Sequence, residues 1–171
     1  MAQTLTRSLT DLGALLHLVD PTLPIGGFNH SNGLETFVQQ RVVESKATLE
    51  EYVQTQLLQN WIYNAGAYLS LAFDAMCEGN FDRLCELDWQ LSATKVARES
   101  REGSFKLGVR LLKIFIRYET HTLLTDYQQA IAEKRVQGYF PIVFAMVAQA
   151  MGLTKADTLY AFYYNAAVGV I

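Results

Sequence analysis

The sequence contains little cysteine, proline or charge. Two of its 171 residues are cysteine and three are proline, and charged residues make up 18% of the chain, against about 25% in typical soluble domains. Cys77 and Cys85 are too few for a disulfide framework and lack the C-x-x-C spacing of a zinc site, so we expect both to be small buried side chains in a reducing compartment. The low charge favours a surface partly covered by another chain, although a well-packed monomer can have the same composition.

The sequence also has no long hydrophobic run and no cluster of cations. The apolar stretch at residues 14–19 is short, contains His17 and follows Asp11, which fits neither a signal peptide nor a membrane span. Lys and Arg are scattered singly in a chain of net charge −3, so no basic stripe is expected to neutralise a phosphate backbone. We therefore expect a cytoplasmic protein that binds neither membranes nor nucleic acid.

Length and spacing predict a single helical domain. No Gly/Ser-rich linker or low-complexity run divides residues 1–171, and no segment alternates with the period of a strand. Helical spacing of apolar residues predicts helices at 8–19, 34–41, 48–77 with a break near 60–66, 81–94, 96–118, 121–135, 139–151 and 155–170. Thr48 to Glu51 is interpreted as a capping box. The prediction is an all-α, single-domain helical bundle of about seven to nine helices with short antiparallel connections.

The most distinctive segment is a loop between the first two predicted helices. Two prolines and three glycines occur between Asp20 and Gly33, which forbids a helix there. The glycines permit left-handed backbone, and Phe28 offers an apolar side chain among exposed amides. Neither G-x-G-x-x-G nor Gly-Lys-Ser/Thr is present, so nucleotide binding is not expected. The loop is predicted to present a surface to a partner.

No catalytic or metal-binding set can be assembled from the spacing. His17, His30 and His121 lie far apart in sequence, and no HxxxH or ExxH pair marks a helix-borne metal centre. His30 alone could be a ligand or a base, but a hydrogen-bonded or partner-contacting histidine is favoured. No Ser-His-Asp or Cys-His set is recognisable either. We predict that the protein is not an enzyme and has no cofactor of its own.

Two patterns on the predicted helix 96–118 leave alternatives open. Charged residues between Arg98 and Glu102 cluster within about one turn, and they fit either a solvated face or a polar docking rim. Small residues recur at Ser100, Ser104 and Gly108, which allows close approach of another helix, either within the chain or in a dimer.

The end of the chain is unusually apolar. Aromatic residues on both sides of the helix at 160–164 favour a central helix or one whose outer face meets another subunit. Residues 166–171 have no polar tail, so we expect that the chain is truncated.

The loop resembles the signature of the UreF family of urease accessory proteins, P-x-G-G-[FY]-x-[YH]-S-x-G-L-E. This sequence has PIGGFNHSNGLE from Pro24 to Glu35, with Asn29 where the family usually has Ser or Ala. Three further segments agree in order and spacing, and they are the helix at Thr48, the stretch 98–112 and the stretch 141–160. The resemblance covers nearly the whole chain, but the family's C-terminal segment after the last helix is missing.

The resemblance implies an all-α scaffold rather than a catalyst. UreF proteins are described as dimers that bind the UreD or UreH accessory protein, recruit the nickel-carrying GTPase UreG to apo-urease and modulate that GTPase. Nickel would then be handled by the complex and not bound tightly by this chain. The expected partner-binding residues, from motif position, are Pro24, Gly26, Gly27, Phe28, His30, Ser31, Gly33, Glu35, Arg98 and Arg101.

Two functions of other classes remain as alternatives. One is a cofactor-binding helical enzyme, for instance a haem-handling bundle with His17 or His121 as axial ligand. The other is a sensor domain that binds a small molecule in an apolar cavity of the bundle, which only the aromatic content favours.

Overall fold

The computed structural model describes residues 8–26, 33–95 and 97–169, and its regular elements in these ranges are all helical. They are α1 (Leu9–Leu18), α2 (Leu34–Gln39), α3 (Lys46–Thr55), a π-helical segment (Gln56–Gly66), α4 (Ala67–Cys77), α5 (Phe81–Thr94), α6 (Arg98–Phe115), α7 (Thr122–Ala132), α8 (Phe140–Ala150) and α9 (Lys155–Val168). Because α3, the π-helical segment and α4 follow one another without interruption, the described residues form eight continuous helical segments. The prediction of an all-α bundle of seven to nine helices is confirmed.

The starts of α1 and α3 are capped by serine side chains. Ser8 caps α1, where its Oγ accepts from the Asp11 N–H at 3.1 Å and its own N–H donates to the Asp11 carboxylate at 3.2 Å. The capping box predicted at Thr48 is wrong. The cap of α3 is Ser45, whose Oγ accepts from the Thr48 N–H at 3.2 Å, so Thr48 lies three residues inside the cap. Ser45 has the extended backbone that a capping residue needs.

The break predicted near residues 60–66 is wrong. The long helix continues through these residues in a wider π-helical winding. Gly66 keeps helical backbone angles, with φ −68°. A Cβ atom at Gly66 would collide with the hydroxyl of Tyr163 on α9 and would lie 2.8 Å from the carbonyl oxygen of Trp61. Glycine is therefore required here for close approach of two helices and does not end one.

The main core is centred on α8. Every residue from Ile142 to Ala148 is 0% exposed, and α4 and α6 make the most extensive packing against this helix. The rings of Phe140 and Phe144 contact that of Phe162 on α9 in tilted and edge-to-face arrangements, at centroid distances of 6.0 and 5.6 Å. A helix that is apolar all round belongs at the centre of a bundle, which explains the position of α8.

A smaller hydrophobic cluster lies apart from the main core. Its buried members are Val43, Tyr52 and Trp61, and apolar side chains of α2, α3 and the π-helical segment surround them. Tyr163, Ala166 and Ala167 also pack against it, so the end of α9 joins it to the rest of the bundle. We call Val43, Tyr52 and Trp61 the second cluster.

A buried carboxylate orders the connection between α7 and α8. Asp88 on α5 is 0% exposed and accepts hydrogen bonds from the hydroxyl of Tyr127 at 2.7 Å and from the backbone N–H groups of Gln137, Gly138 and Tyr139 at 2.7, 3.0 and 3.1 Å. Four donors satisfy a charge that would otherwise be very costly to bury. The side chain thus fixes the turn from which α8 enters the core.

The cysteines are only partly as expected. Cys77 is exposed, because it is the last residue of α4 and adjoins the exposed turn at 78–80, so its predicted burial is wrong. Cys85 is half-buried, and this burial raises the pKa of its thiol. Among the described residues, no helix combines the length and apolar character needed to cross a bilayer.

Candidate functional site

The structure describes the two flanks of the loop that is predicted to bind a partner. Its central residues Gly27, Phe28, His30 and Ser31 lie outside the described residues. On the entry side, Asp20 accepts from both the N–H and the hydroxyl of Thr22 at 2.7 Å, and Leu23 is buried against the main core. Pro24, which follows, is exposed. The entry is thus anchored in the bundle while the motif begins at the surface.

Gly26 is held by α6. Its φ is +80°, a conformation that favours glycine, and a Cβ atom there would collide with the guanidinium of Arg110. That guanidinium donates a hydrogen bond to the carbonyl oxygen of Ile25 at 3.1 Å. Arg110 is not among the site residues that the sequence predicts, because its role depends on how the loop packs on α6, which no local pattern reveals.

The exit flank begins at Gly33, in the left-handed conformation with φ +94°. Its carbonyl oxygen accepts from the Phe37 N–H at 3.2 Å, which starts α2. Glu35 is exposed in the first turn of α2, where a carboxylate interacts favourably with the helix dipole. The ring of Phe37 contacts that of Tyr52 at 5.4 Å and so connects this flank to the second cluster.

Arg98 and Arg101 have different surroundings. The side chain of Arg98 is 84% exposed and pairs with Glu102 at 2.7 Å, and this hydrogen bond, followed by that of Lys106, lowers the pKa of Glu102. Arg101 is partly buried and donates to the carbonyl oxygen of Lys95 at 2.9 Å, just beyond the end of α5. Arg98 is therefore available at the surface, whereas Arg101 also connects α6 to α5.

The structure does not bring Arg98 next to the described loop flanks. Arg110, not Arg98, contacts the loop, and the separation of twelve residues between them on α6 corresponds to about 18 Å along the helix axis. The predicted site residues therefore form at least two separate groups along α6.

Four further cations lie on one exposed face of α6 and the turn after it. They are Lys106, Arg110, Lys113 and Arg117, and we call them the α6 basic face. The expectation of singly scattered cations is wrong here, since the spacing i, i+4, i+7, i+11 places all four on one side of a helix. That spacing is visible in the sequence and could have identified them.

The small residues of α6 are explained at one position by packing within the chain. A Cβ atom at Gly108 would collide with the carbonyl oxygen of Gly138 and would lie 2.9 Å from the backbone nitrogen of Phe140. Gly108 thus lets α6 approach the start of α8. Ser100 is exposed and Ser104 is half-buried.

The two histidines proposed as haem ligands are engaged elsewhere. His17 is exposed, with its ring 5.0 Å from that of Phe115, and the Nδ1 atom of His121 accepts from the Leu123 N–H at 3.3 Å at the start of α7. Within the described ranges, no group of three or more His, Cys, Asp or Glu side chains could hold a metal ion.

A shallow cleft of about 310 Å³ lies between α6 and the α7–α8 connection. Its lining consists of Phe105, Val109, Ile131, Lys134, Val136 and Gln137. The sensor alternative requires a cavity inside the bundle, and this cleft lies at the surface beside an exposed lysine.

Comparison with known proteins gives consistent matches. The family model UreF matches residues 43–171, which begin after the glycine-bearing loop, so this match is independent of the loop motif. A urease accessory protein UreF of Haemophilus influenzae (strain ATCC 51907 / DSM 11121 / KW20 / Rd) is 98% identical over 171 residues, which are 100% of this chain and 73% of that protein.

More distant relatives have the same description. The urease accessory protein UreF of Actinobacillus pleuropneumoniae serotype 5b (strain L20) is 81% identical over 160 residues, covering 94% of this chain and 70% of that protein. That of Bacillus sp. (strain TB-90) is 32% identical over 151 residues, covering 88% and 66%.

Proposed function

Because this chain belongs to the UreF family of urease accessory proteins, a family without catalytic activity, we propose that its part in urease maturation is that of a scaffold for nickel insertion into apo-urease. It bridges a UreD/UreH-type accessory protein and the nickel-carrying GTPase UreG, and it modulates that GTPase. It works in the cytoplasm. Nickel is handled by the assembled complex and is not bound tightly by this chain.

The observation that carries the proposal is the exposure of the two glycine-bearing flanks of the motif between α1 and α2. Pro24 and Gly26 on one flank and Gly33 and Glu35 on the other are all exposed, so both flanks of the motif lie at the surface. Arg110 and the buried Leu23 fix the entry flank to the bundle. A flank that the bundle already holds loses little conformational entropy when a partner binds it.

Self-association is part of the proposal. Tyr160, Tyr164 and Val168 recur every four residues on α9 and are 64, 47 and 47% exposed, and the two tyrosine rings stack at 6.4 Å. An aromatic face of this kind is enriched in interfaces between subunits. It supports a homodimer, which sedimentation velocity at several concentrations can test against a Tyr160→Ser, Tyr164→Ser variant.

The scaffold role can be tested by pull-down with purified partners. The wild-type chain is expected to retain the UreD/UreH-type protein, UreG and apo-urease, whereas Phe28→Ala with His30→Ala is expected to lose at least one of them. Tyr63→Ala is the matched control, because this side chain is 77% exposed and lies on the π-helical segment. If the loop variant binds like the control, the loop assignment is wrong, and if the wild type binds none of the three proteins, the scaffold role is wrong.

The GTPase and nickel parts need separate measurements. GTP hydrolysis by UreG is expected to change when the wild-type chain is added and to change less with the loop variant. Equilibrium dialysis of the chain alone is expected to show no stoichiometric nickel at micromolar concentration. Stoichiometric retention of nickel by the isolated chain would contradict the view that the complex handles the ion.

A further inference from the structure

The α6 basic face lies opposite the side of α6 that enters the core. At about 100° per residue, Lys106, Arg110 and Lys113 fall within an arc of about 60° on α6, and Arg117 lies in the turn that follows. The core side is formed by the buried residues Gly108, Leu111, Leu112 and Phe115. All four cations are exposed.

Little in the described chain neutralises these charges. Lys106 pairs with Glu102 at 3.4 Å, and Arg110 donates to the carbonyl oxygen of Ile25, which has no net charge. Lys113 and Arg117 form no ion pair with any described residue. The half of the face that is nearest the end of α6 is therefore left with unpaired positive charge.

A merely solvated helix face would have a different composition. The chain has a net charge of −3, and solvated faces of soluble proteins usually mix both signs. Elsewhere on the bundle cations do pair with neighbouring acids, as Lys46 does with Glu50 at 3.6 Å and Arg83 with Glu86 at 2.6 Å. Four cations along one side of a helix, in a protein of net negative charge, thus indicate a surface that binds a negatively charged group of a partner.

We propose that the α6 basic face is the docking surface for an acidic segment of a protein partner. Its length from Lys106 to Arg117 is about 16 Å, which fits a short stretch of Asp and Glu side chains. A long polyanion such as RNA would extend beyond the basic face. Because the chain has a net negative charge, the rest of its surface would repel the phosphates. The inference rests on the proposed function, since the partner is sought among the urease maturation proteins.

The position of Arg110 connects this surface to the glycine-bearing loop. Its guanidinium contacts Ile25 directly before Gly26, so a carboxylate that binds Arg110 lies at the entry flank of the loop. One partner can therefore contact the basic face and the loop together.

Charge reversal with a matched control tests the inference. Lys113→Glu with Arg117→Glu is compared with Lys46→Glu with Lys134→Glu, which changes the net charge equally at exposed positions elsewhere. Binding to the UreD/UreH-type protein, UreG and apo-urease is measured by interferometry at about 50 and about 300 mM salt. We expect the first variant to bind one partner at least about tenfold more weakly at low salt and the control to stay within about twofold of wild type. Equal binding by both variants overturns the inference.

Two further measurements separate the causes of failure. Lys113→Gln with Arg117→Gln removes charge without adding repulsion, and circular dichroism shows whether this variant is folded. The folded variant is expected to bind about threefold more weakly than wild type and to lose part of the salt dependence of binding. If it binds like wild type, the basic face is not the docking surface. If wild-type chain binds none of the three proteins, the proposed function fails, while a fluorescent Glu-rich dodecapeptide still tests the face itself. Tighter binding of a single-stranded RNA dodecamer than of this peptide overturns the assignment to a protein partner.

Discussion

At the scale of single residues, Asp88 is the side chain on which most local order depends. It is fully buried and accepts from Tyr127 and from three consecutive backbone N–H groups at the entry to α8. An amide in its place can accept at only one of its two terminal atoms and points an N–H₂ group at existing donors. We therefore expect Asp88→Asn to lower the free energy of unfolding by about 2–4 kcal/mol.

Urea denaturation followed by circular dichroism measures this loss. The exposed Asp126 provides the control, and Asp126→Asn is expected to change the free energy of unfolding by less than about 0.5 kcal/mol. A cost for Asp88→Asn no larger than that of the control would show that the carboxylate is not the anchor of this turn.

The same site predicts how stability depends on pH. Burial, and after it the negative charge of Asp88, raises the pKa of Tyr127 well above its usual value of 10.0. Above pH 10 the unfolded chain loses this proton while the folded chain keeps it, so the unfolded state binds fewer protons and stability falls as pH rises. Below pH 10 both states keep the proton and Tyr127 contributes no slope.

Thermal unfolding between about pH 8 and pH 11 tests this prediction. Tyr127→Phe is expected to be less stable at pH 8, because a buried hydrogen bond is lost, but to show a shallower decline above pH 10. Tyr118→Phe, at an exposed position, is the control and is expected to follow the wild-type curve. Parallel curves for wild type and Tyr127→Phe would contradict the assigned shift.

At the scale of helices, the sequence predicts where a helix occurs better than it predicts whether that helix is wound as an α-helix or a π-helix. The bounds of α5, Phe81–Thr94, agree with the predicted 81–94, because Asn80 caps it and apolar residues recur at helical spacing. At the π-helical segment the sequence instead predicts a break, since Gly66 is a poor helix former. The glycine is needed at this position because Tyr163, almost a hundred residues later, approaches it closely, and no local pattern contains that information.

Gly66 gives a prediction for this contact. An alanine in an open helix normally stabilises, but its Cβ at Gly66 meets the Tyr163 hydroxyl and lies 2.8 Å from the Trp61 carbonyl oxygen. We expect Gly66→Ala to cost about 1–3 kcal/mol in the free energy of unfolding. Tyr163→Phe removes the colliding hydroxyl, so the double variant is expected to recover part of that cost.

Gly13 is the matched control for this cycle. It lies in the middle of α1, and a Cβ atom added there would meet nothing within 4 Å, so Gly13→Ala is expected to stabilise by roughly 0.5–1 kcal/mol. Denaturant titration of the four variants measures the coupling. Additive effects of Gly66→Ala and Tyr163→Phe would show that the two side chains do not constrain each other.

The candidate site, like the helices, is only partly predictable from the sequence. The loop motif with Gly26 and Gly33 can be predicted, because left-handed turns require glycine whatever surrounds them. The contact of Arg101 with the Lys95 carbonyl depends on where α5 ends in space, and that of Arg110 depends on the packing of the loop. The remaining cations of the α6 basic face follow from spacing alone, but they emerge only when charge is counted around a helix rather than along the sequence.

At the scale of the whole molecule, the described residues form two hydrophobic centres, the main core and the second cluster, which differ in how completely they are buried. The centre of α8 is 0% exposed throughout, whereas the three buried members of the second cluster are 8–9% exposed. Since stability follows buried apolar area, the segment from α2 to the π-helical segment should open at a lower free energy than the main core. The described flanks of the family motif reach both centres, with Leu23 in one and Leu34 beside the other.

Trp61 can report on the second cluster separately from the main core. Trp61 belongs to the second cluster, and Trp89, on α5, donates to the carbonyl oxygen of Arg135. In a Trp89→Phe variant, fluorescence comes from Trp61 alone, and we expect its midpoint in urea to precede that of the far-UV circular dichroism, because most of the described helix belongs to the main core. Addition of a partner that binds both flanks of the loop should move the two midpoints together, since Leu23 on one flank and Leu34 on the other contact different centres. Coincident midpoints in the free chain would mean that the end of α9 couples the second cluster to the core strongly enough for both to unfold as one unit.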